Sequence, residues 1–220
     1  MASELFVDKI YPGPNSGTSI SIPSGYKLVG ADTGSVYAPG SIIQVTSVTD
    51  RNISSYTADD VSNQANYRLD RVGVDLTTLD ISITPKFSTS KILIFTSFIL
   101  GIDSAMYGVM RLKKGIGGST PTFSSSDSSM SSVNSVPGTN TQMGSYIITQ
   151  NVSDWMPTPV HFHWSDSPST TSRITYRFNI MLEADGPGTA TYFLNRAYYN
   201  TNDYGSTTGV SCVTVMEVAQ

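Results

Sequence analysis

The stretch Arg173-Ile174-Thr175-Tyr176-Arg177-Phe178-Asn179-Ile180-Met181-Leu182 decides the fold class. On an extended chain Ile174, Tyr176, Phe178, Ile180 and Leu182 share one side, and Thr175, Arg177 and Asn179 share the other. A period of two over ten residues is the pattern of a half-buried strand. It places Phe178 and Ile180 in a core and leaves Arg177 and Asn179 off that core face. On this reading, truncating Asn179 costs about 0.5 kcal/mol or less.

The same pattern spreads outward along the chain. Ser41-Ile42-Ile43-Gln44-Val45-Thr46-Ser47-Val48 is a strand candidate, and Leu79-Asp80-Ile81-Ser82-Ile83 alternates until Pro85. Residues 91–100 are apolar on both sides, which predicts a central strand. Further strands are predicted over 106–112, ending at Lys113-Lys114-Gly115, over 189–195 and over 210–218. No segment shows a 3.6-residue period, and a short turn at Ala58-Asp59-Asp60-Val61 is the only helical expectation. Eight or nine short strands separated by Gly, Pro, Ser and Asn predict an all-β antiparallel sandwich of jelly-roll type over residues 41–220.

Residues 1–40 read differently. Short apolar pieces containing Leu5, Phe6, Val7, Ile10, Ile20 and Ile22 are interrupted by Pro12-Gly13-Pro14, Pro23, Gly25, Gly30 and Pro39-Gly40. Forty residues so broken cannot bury a core alone. They are expected to form an extended arm that anchors the chain, by those six apolar residues, to another protein or to further copies of itself.

Composition narrows the function. Only 14% of the residues are charged, and Ser and Thr number 58 of 220. Glu occurs three times and Lys six times, so the usual surface of a helical bundle or α/β enzyme is missing. A net charge of -4, with no basic run beyond Lys113-Lys114, gives no footprint for nucleic acid. The longest apolar runs fall far short of the roughly 20 residues of a membrane helix, so no membrane insertion is expected. Met1-Ala2-Ser3-Glu4-Leu5-Phe6 has no basic n-region and is not read as a secretory signal. The single cysteine, Cys212, forms no intrachain disulfide and reads as an inert core thiol in an apolar strand. A reducing cytosol suits such a chain.

Catalytic patterns are missing. There is no G-x-S-x-G, no P-loop, no H-E-x-x-H and no C-x-x-C. Asp59-Asp60 reads as a solvated turn rather than a pair of catalytic carboxylates. No enzyme activity and no cofactor are expected, although a carbohydrate-active enzyme on the same sandwich is the outlying alternative. In His161-Phe162-His163-Trp164 the two imidazoles share one face of a strand and the two aromatic rings the other. His161 and His163 are weak metal-ligand candidates, because a third ligand is not evident nearby. The plainer reading packs Phe162 and Trp164 inward and leaves the histidines half exposed.

Two loops stand out. Residues 115–144 are rich in Ser, Thr, Gly and Asn and read as a long structureless loop. Ala197-Tyr198-Tyr199-Asn200-Thr201-Asn202-Asp203-Tyr204-Gly205 has the composition of an adaptable binding surface. Tyr198, Tyr199, Asn202 and Tyr204 are its contact candidates.

Three segments also carry a resemblance. Asp80-Ile81-Ser82-Ile83-Thr84-Pro85-Lys86-Phe87-Ser88-Thr89-Ser90-Lys91-Ile92-Leu93 resembles a "SITPKSxxSKIL" signature. Asp166-Ser167-Pro168-Ser169-Thr170-Thr171-Ser172 and the following strand resemble "DSPxTTSxxTY". Tyr192-Phe193-Leu194-Asn195-Arg196, with Val213-Thr214-Val215-Met216-Glu217-Val218, resembles "xYLNR…ITVMEI". In this order they are similar to short tail-fibre-like virion proteins of tailed bacteriophages of the cyanophage and marine phage type. The long Ser-rich insertion and the His161–Trp164 run depart from that pattern.

The resemblance implies a non-enzymatic homotrimer on the virion, assembled in the host cytoplasm. Its partners would be other virion proteins of the tail or baseplate, and its distal loops would meet a host surface glycan. The alternative it implies is a capsid decoration protein, a cement or head-fibre protein seated on the major capsid protein. Read as structure, Asn195-Arg196 closes a strand and leaves Arg196 able to pair with a carboxylate such as Glu217.

Overall fold

The computed structural model describes Ser24 and residues 38–58, 74–102, 107–122, 130–132, 145–149, 156–183, 190–199 and 208–220. Its compact unit runs from Ala38 to Gln220. The arm candidates Leu5, Phe6, Val7, Ile10, Ile20 and Ile22 lie outside the described residues.

The described residues form twelve strands. They are β1 (Ile42–Asp50), β2 (Ser54–Ala58), β3 (Val74–Asp75), β4 (Ile81–Ile83), β5 (Lys91–Ile102), β6 (Tyr107–Ile116), β7 (Met130–Ser132), β8 (Ser145–Thr149), β9 (Thr158–Asp166), β10 (Ile174–Glu183), β11 (Ala190–Leu194) and β12 (Ser211–Val218). One 3-10 turn, Thr77–Leu79, precedes β4. A first sheet is ordered β1-β12-β5-β11-β2, with β9 on the other edge of β5 and β7 beyond it. A second sheet is ordered β3-β10-β6-β8, with β4 also on β10. Every pairing is antiparallel.

One core lies between the two sheets. From the second sheet Ile174, Tyr176, Phe178 and Ile180 of β10 point inward with Met110 and Leu112 of β6. From the first sheet Ile92, Ile94, Phe98 and Leu100 of β5 meet them, with Val213 and Val215 of β12 and Phe162 and Trp164 of β9. Phe178 sits edge-on to Phe98 at 5.2 Å and against Trp164 at 5.6 Å between ring centroids, so rings of both sheets interlock. The chain is an antiparallel β-sandwich. β5 is central as its composition predicts, but its inward residues are buried while Leu93, Phe95 and Ile99 on its other face are half-buried.

Several expectations need correction. Asn179 is fully buried although it faces away from the core. The outward residues of the second sheet are linked in rows that the strand register creates. Asn179 Oδ1 accepts from Arg111 Nε at 3.0 Å and from Nη2 at 2.5 Å, and its Nδ2 donates to Asp75 at 2.6 Å. Lys113 pairs with Asp75 at 2.6 Å, and Arg177 grips both oxygens of Asp80. Thr175 bonds Ser82 at 2.8 Å. Burial lowers the Arg111 pKa to about 10, with Asp75 opposing the shift. Pattern alone missed this because a two-residue period marks faces but not what covers them.

Other corrections are smaller. β6 continues through Lys113-Lys114-Gly115 to Ile116, because Lys114 turns inward to the buried Asp166 at 3.1 Å. Ala58 is a strand residue, and Asp59, Asp60 and Val61 lie outside the described residues. The 115–144 stretch includes β7 at Met130–Ser132 and a bridge between Lys114 and Thr122. Cys212 is half-buried on the outer face of β12, since Val213 and Val215 take the core side.

Arg196 and Glu217 do not pair. Glu217 is fully buried, and its Oε1 accepts from Lys86 N at 2.7 Å, Phe87 N at 3.3 Å and Ser90 Oγ at 2.6 Å. Its Oε2 accepts from Gln44 Nε2 at 2.5 Å, which also donates to the Thr84 carbonyl. One carboxylate therefore closes the turn between β4 and β5 and ties it to β1 and β12. Charge-assisted bonds of this kind are about twice as strong as neutral ones.

Phe178→Ala should lower unfolding free energy by about 3–5 kcal/mol in urea denaturation. Asn179→Ala should cost about 2–3 kcal/mol, well above the sequence expectation, because it removes the buried oxygen that accepts two Arg111 hydrogen bonds. Equal stability of Asn179→Ala and the parent chain would show that this polar row adds nothing.

Tyr192 offers an independent check. It is 2% exposed, its hydroxyl has no hydrogen-bond partner among the described residues, and burial raises its pKa. Tyr192→Phe should leave stability unchanged or raise it by about 1 kcal/mol. In the parent chain stability should fall as pH climbs above about 10, where the unfolded phenol ionises and the folded one does not. The variant should lose that component when melts are compared on either side of that pH.

Candidate functional site

The seam between β11 and β12 positions the most exposed aromatic cluster among the described residues. Both strands pair with the same side of the longer β5, one after the other: Leu194 faces Leu100, and Cys212 faces Ser97. Between them the chain must leave the sheet and return. Asn195 makes the exit with a φ of 65°, a left-handed conformation that Asn tolerates better than most residues. Its side chain is fully buried and bridges the seam. Nδ2 donates to the carbonyls of Asp50 and Asn52, both at 2.9 Å, and Oδ1 accepts from Ser211 Oγ at 2.7 Å.

The loop base is closed by backbone as well. Gly209 N donates to the Asn195 carbonyl at 2.9 Å, and Arg196 bridges to Thr208. Gly101, at the end of β5, lets this segment pass close by, because a Cβ there would overlap the Arg196 carbonyl. Arg196, Tyr198 and Tyr199 thus project from a rigid root.

Arg196 Cζ lies 4.0 Å above the Phe193 ring, a cation–π contact, and its Nη1 donates to the Tyr198 carbonyl at 3.2 Å. Tyr198 packs on Phe193 at 5.6 Å and on Tyr199 at 4.6 Å between centroids. Phe193 is buried, while Tyr198 and Tyr199 remain 36% and 40% exposed. Burial lowers the Arg196 pKa, and its Nε is buried with no hydrogen-bond partner among the described residues. Among the described residues the arrangement offers two phenol rings and a guanidinium, with no nucleophile and base in contact.

Of the loop candidates, Tyr198 and Tyr199 are therefore brought together, and Asn202 and Tyr204 lie outside the described residues. Arg196 and Phe193 were not singled out as contact residues. The signal available for them was the Phe-x-x-Arg spacing beside the tyrosines, which says nothing of a stacked geometry until Asn195 turns the chain.

His161 and His163 are both exposed on the outer face of β9, with Phe162 and Trp164 in the core. His163 lies edge-on to Phe95 at 5.0 Å, opposite it in the register. Among the described residues no three potential ligands are grouped around a metal position.

No protein-family model and no curated protein sequence matches the chain. Among solved structures, the VP2 subviral particle of infectious bursal disease virus is similar over 90% of this chain and 50% of its own, at 14% identity and a TM-score of 0.33. The chain spans about half the length of that protein.

Proposed function

We propose that the chain is a surface protein of a tailed-bacteriophage virion, a homotrimeric short tail fibre or adhesin that attaches the particle to its host. The observation behind the reading is that the three motifs of the resemblance coincide with the polar joints of the sandwich. Glu217 of the third motif receives the backbone of the first at Lys86 and Phe87. Asp166, which opens the second, is fully buried and accepts from Tyr176 at 2.7 Å and from Lys114 of the facing sheet. Asn195, in the third, holds the seam. Matches at surface positions alone could arise from composition, whereas buried polar residues with matched partners are demanding of sequence.

The adhesive role follows from the exposed tyrosines on a fixed root, since tyrosine supplies rigid contact area with a polar tip at small entropic cost. The competing role is capsid decoration. Two variants separate them. Tyr198→Ala, Tyr199→Ala and Tyr204→Ala together should reduce host-cell binding at least tenfold with a nearly unchanged melting temperature, if the loop is the receptor face. If the chain is instead a decoration protein, the tyrosine variant should still load onto particles, and deleting residues 1–40 should be what prevents loading. A particle reconstruction that places the protein on the head, with cell binding intact in the tyrosine variant, would replace the adhesin reading by decoration.

Light scattering should give a mass of about 71 kDa, three copies of the 23.7 kDa chain. A stable species near one chain mass at micromolar concentration would overturn the trimer.

A further inference from the structure

The charged residues of this protein are few and, on the second sheet, well partnered. Lys113 faces Asp75, Arg177 faces Asp80, Lys114 faces Asp166, and Arg111 faces Asn179. Arg173 stands outside that set, and so does Arg196. Arg196 has no carboxylate within ion-pair distance among the described residues, and its one hydrogen bond is to the Tyr198 carbonyl. A guanidinium has five N–H donors, so most of its capacity is unspent. It is also held in place, stacked on Phe193 and rooted beside Asn195, rather than waving in solvent. Burial disfavours its charge with no acid to compensate. A cation kept partly desolvated and unpaired beside two exposed rings lacks a counter-ion that a ligand can supply.

The chemistry selects the ligand. A planar guanidinium fork matches a carboxylate in a bidentate geometry. The exposed phenol rings of Tyr198 and Tyr199 match an apolar ring face. We infer that Arg196, Tyr198 and Tyr199 form a subsite for a carboxylate-bearing sugar, the ring resting on the tyrosines and the carboxylate on the Arg196 fork. This inference rests on the adhesin reading and specifies its receptor as an acidic glycan.

The test uses the full-length protein and three probes: methyl β-glucuronide, methyl β-glucoside, which lacks the charge, and acetate, which lacks the ring. Saturation-transfer NMR and titration should detect the glucuronide with a Kd of order 1 mM, a typical strength for a small ligand on an open surface. The glucoside and acetate should each bind at least tenfold more weakly. Arg196→Gln should bring glucuronide binding down to the glucoside level. Arg196→Lys retains the charge and a cation–π contact but loses the fork, and should lie between parent and Arg196→Gln. It also serves should the glutamine variant fail to fold. Raising salt should weaken the glucuronide and leave the glucoside unchanged.

Equal binding of glucuronide and glucoside, no binding of either, or full glucuronide binding in a folded Arg196→Lys or Arg196→Gln variant would each overturn the subsite. Host-cell binding that survives in a folded Arg196→Gln chain, but not in the tyrosine variant, overturns the acidic-sugar assignment while the adhesin reading stands. Loss of the adhesin reading shows itself separately, as a protein on the capsid that binds no cells.

Discussion

One carboxamide holds the place on which the candidate site depends. Asn195 stands where the first sheet changes from β11 to β12 along the flank of β5. The next strand layer breaks at the same level, since β1 ends at Asp50 and β2 begins at Ser54. Between these two breaks the Asn195 amide nitrogen donates to the backbone carbonyls of both Asp50 and Asn52. Its oxygen takes the Ser211 hydroxyl, which in turn accepts from Ile99 N. Asp50 completes the joint by receiving Asn52 N and the Thr78 hydroxyl. A buried polar group left unpaired costs about 1–3 kcal/mol, so a change at this position is felt by four segments together. The loop with Arg196, Tyr198 and Tyr199 leaves the sheet from this joint and inherits its rigidity.

The other polar joints follow the same logic at different corners. Glu217 serves the turn before β5, and Asp166 links the two sheets through Lys114 and Tyr176. Burying ions rarely adds net stability over apolar packing of similar volume. Each of these groups instead has few arrangements that satisfy it, which disfavours slipped registers in a chain with so many similar Ser/Thr-rich strands. The stability itself comes from the shared core, where rings of Phe98, Phe162, Trp164 and Phe178 pack across the interior.

The two outer faces differ in chemistry. That of the second sheet carries an ordered polar layer, partly buried, in which Arg111, Lys113 and Arg177 alternate with Asp75, Asp80 and Asn179. That of the first sheet carries Val45, Met216, Leu93 and Phe95 in neighbouring register positions, with His163 edge-on to Phe95. On the second sheet Lys113 and Arg177 are answered by carboxylates, whereas Arg196 is held over the Phe193 ring.

The sequence by itself determined the class and most of the elements. β10 was legible because Ile174, Tyr176, Phe178 and Ile180 alternate with polar residues, and burial of one strand face is a local, two-residue rule. The inward Phe162 and Trp164 and the outward His161 and His163 followed from that rule, and so did β1, β5 and β12 to within a few residues. The exposed Tyr198 and Tyr199 were legible from loop composition. Tertiary structure decided what periodicity does not encode: which strands are neighbours, and hence which distant residues meet. The short strands β3 and β7 exist because β10 and β9 offer them an edge. Asn179 is buried because Arg111 and Asp75, 68 and 104 positions away, converge on it. Glu217 answers a turn 131 residues earlier rather than the nearby Arg196. Arg196 is left to Phe193 and the tyrosines because the Asn195 turn, set by Ser211 and the ends of β1, aims it there. Alternation is a property of one strand, whereas pairing belongs to two, and a hydrogen bond that spans the sandwich leaves no mark on either sequence segment alone.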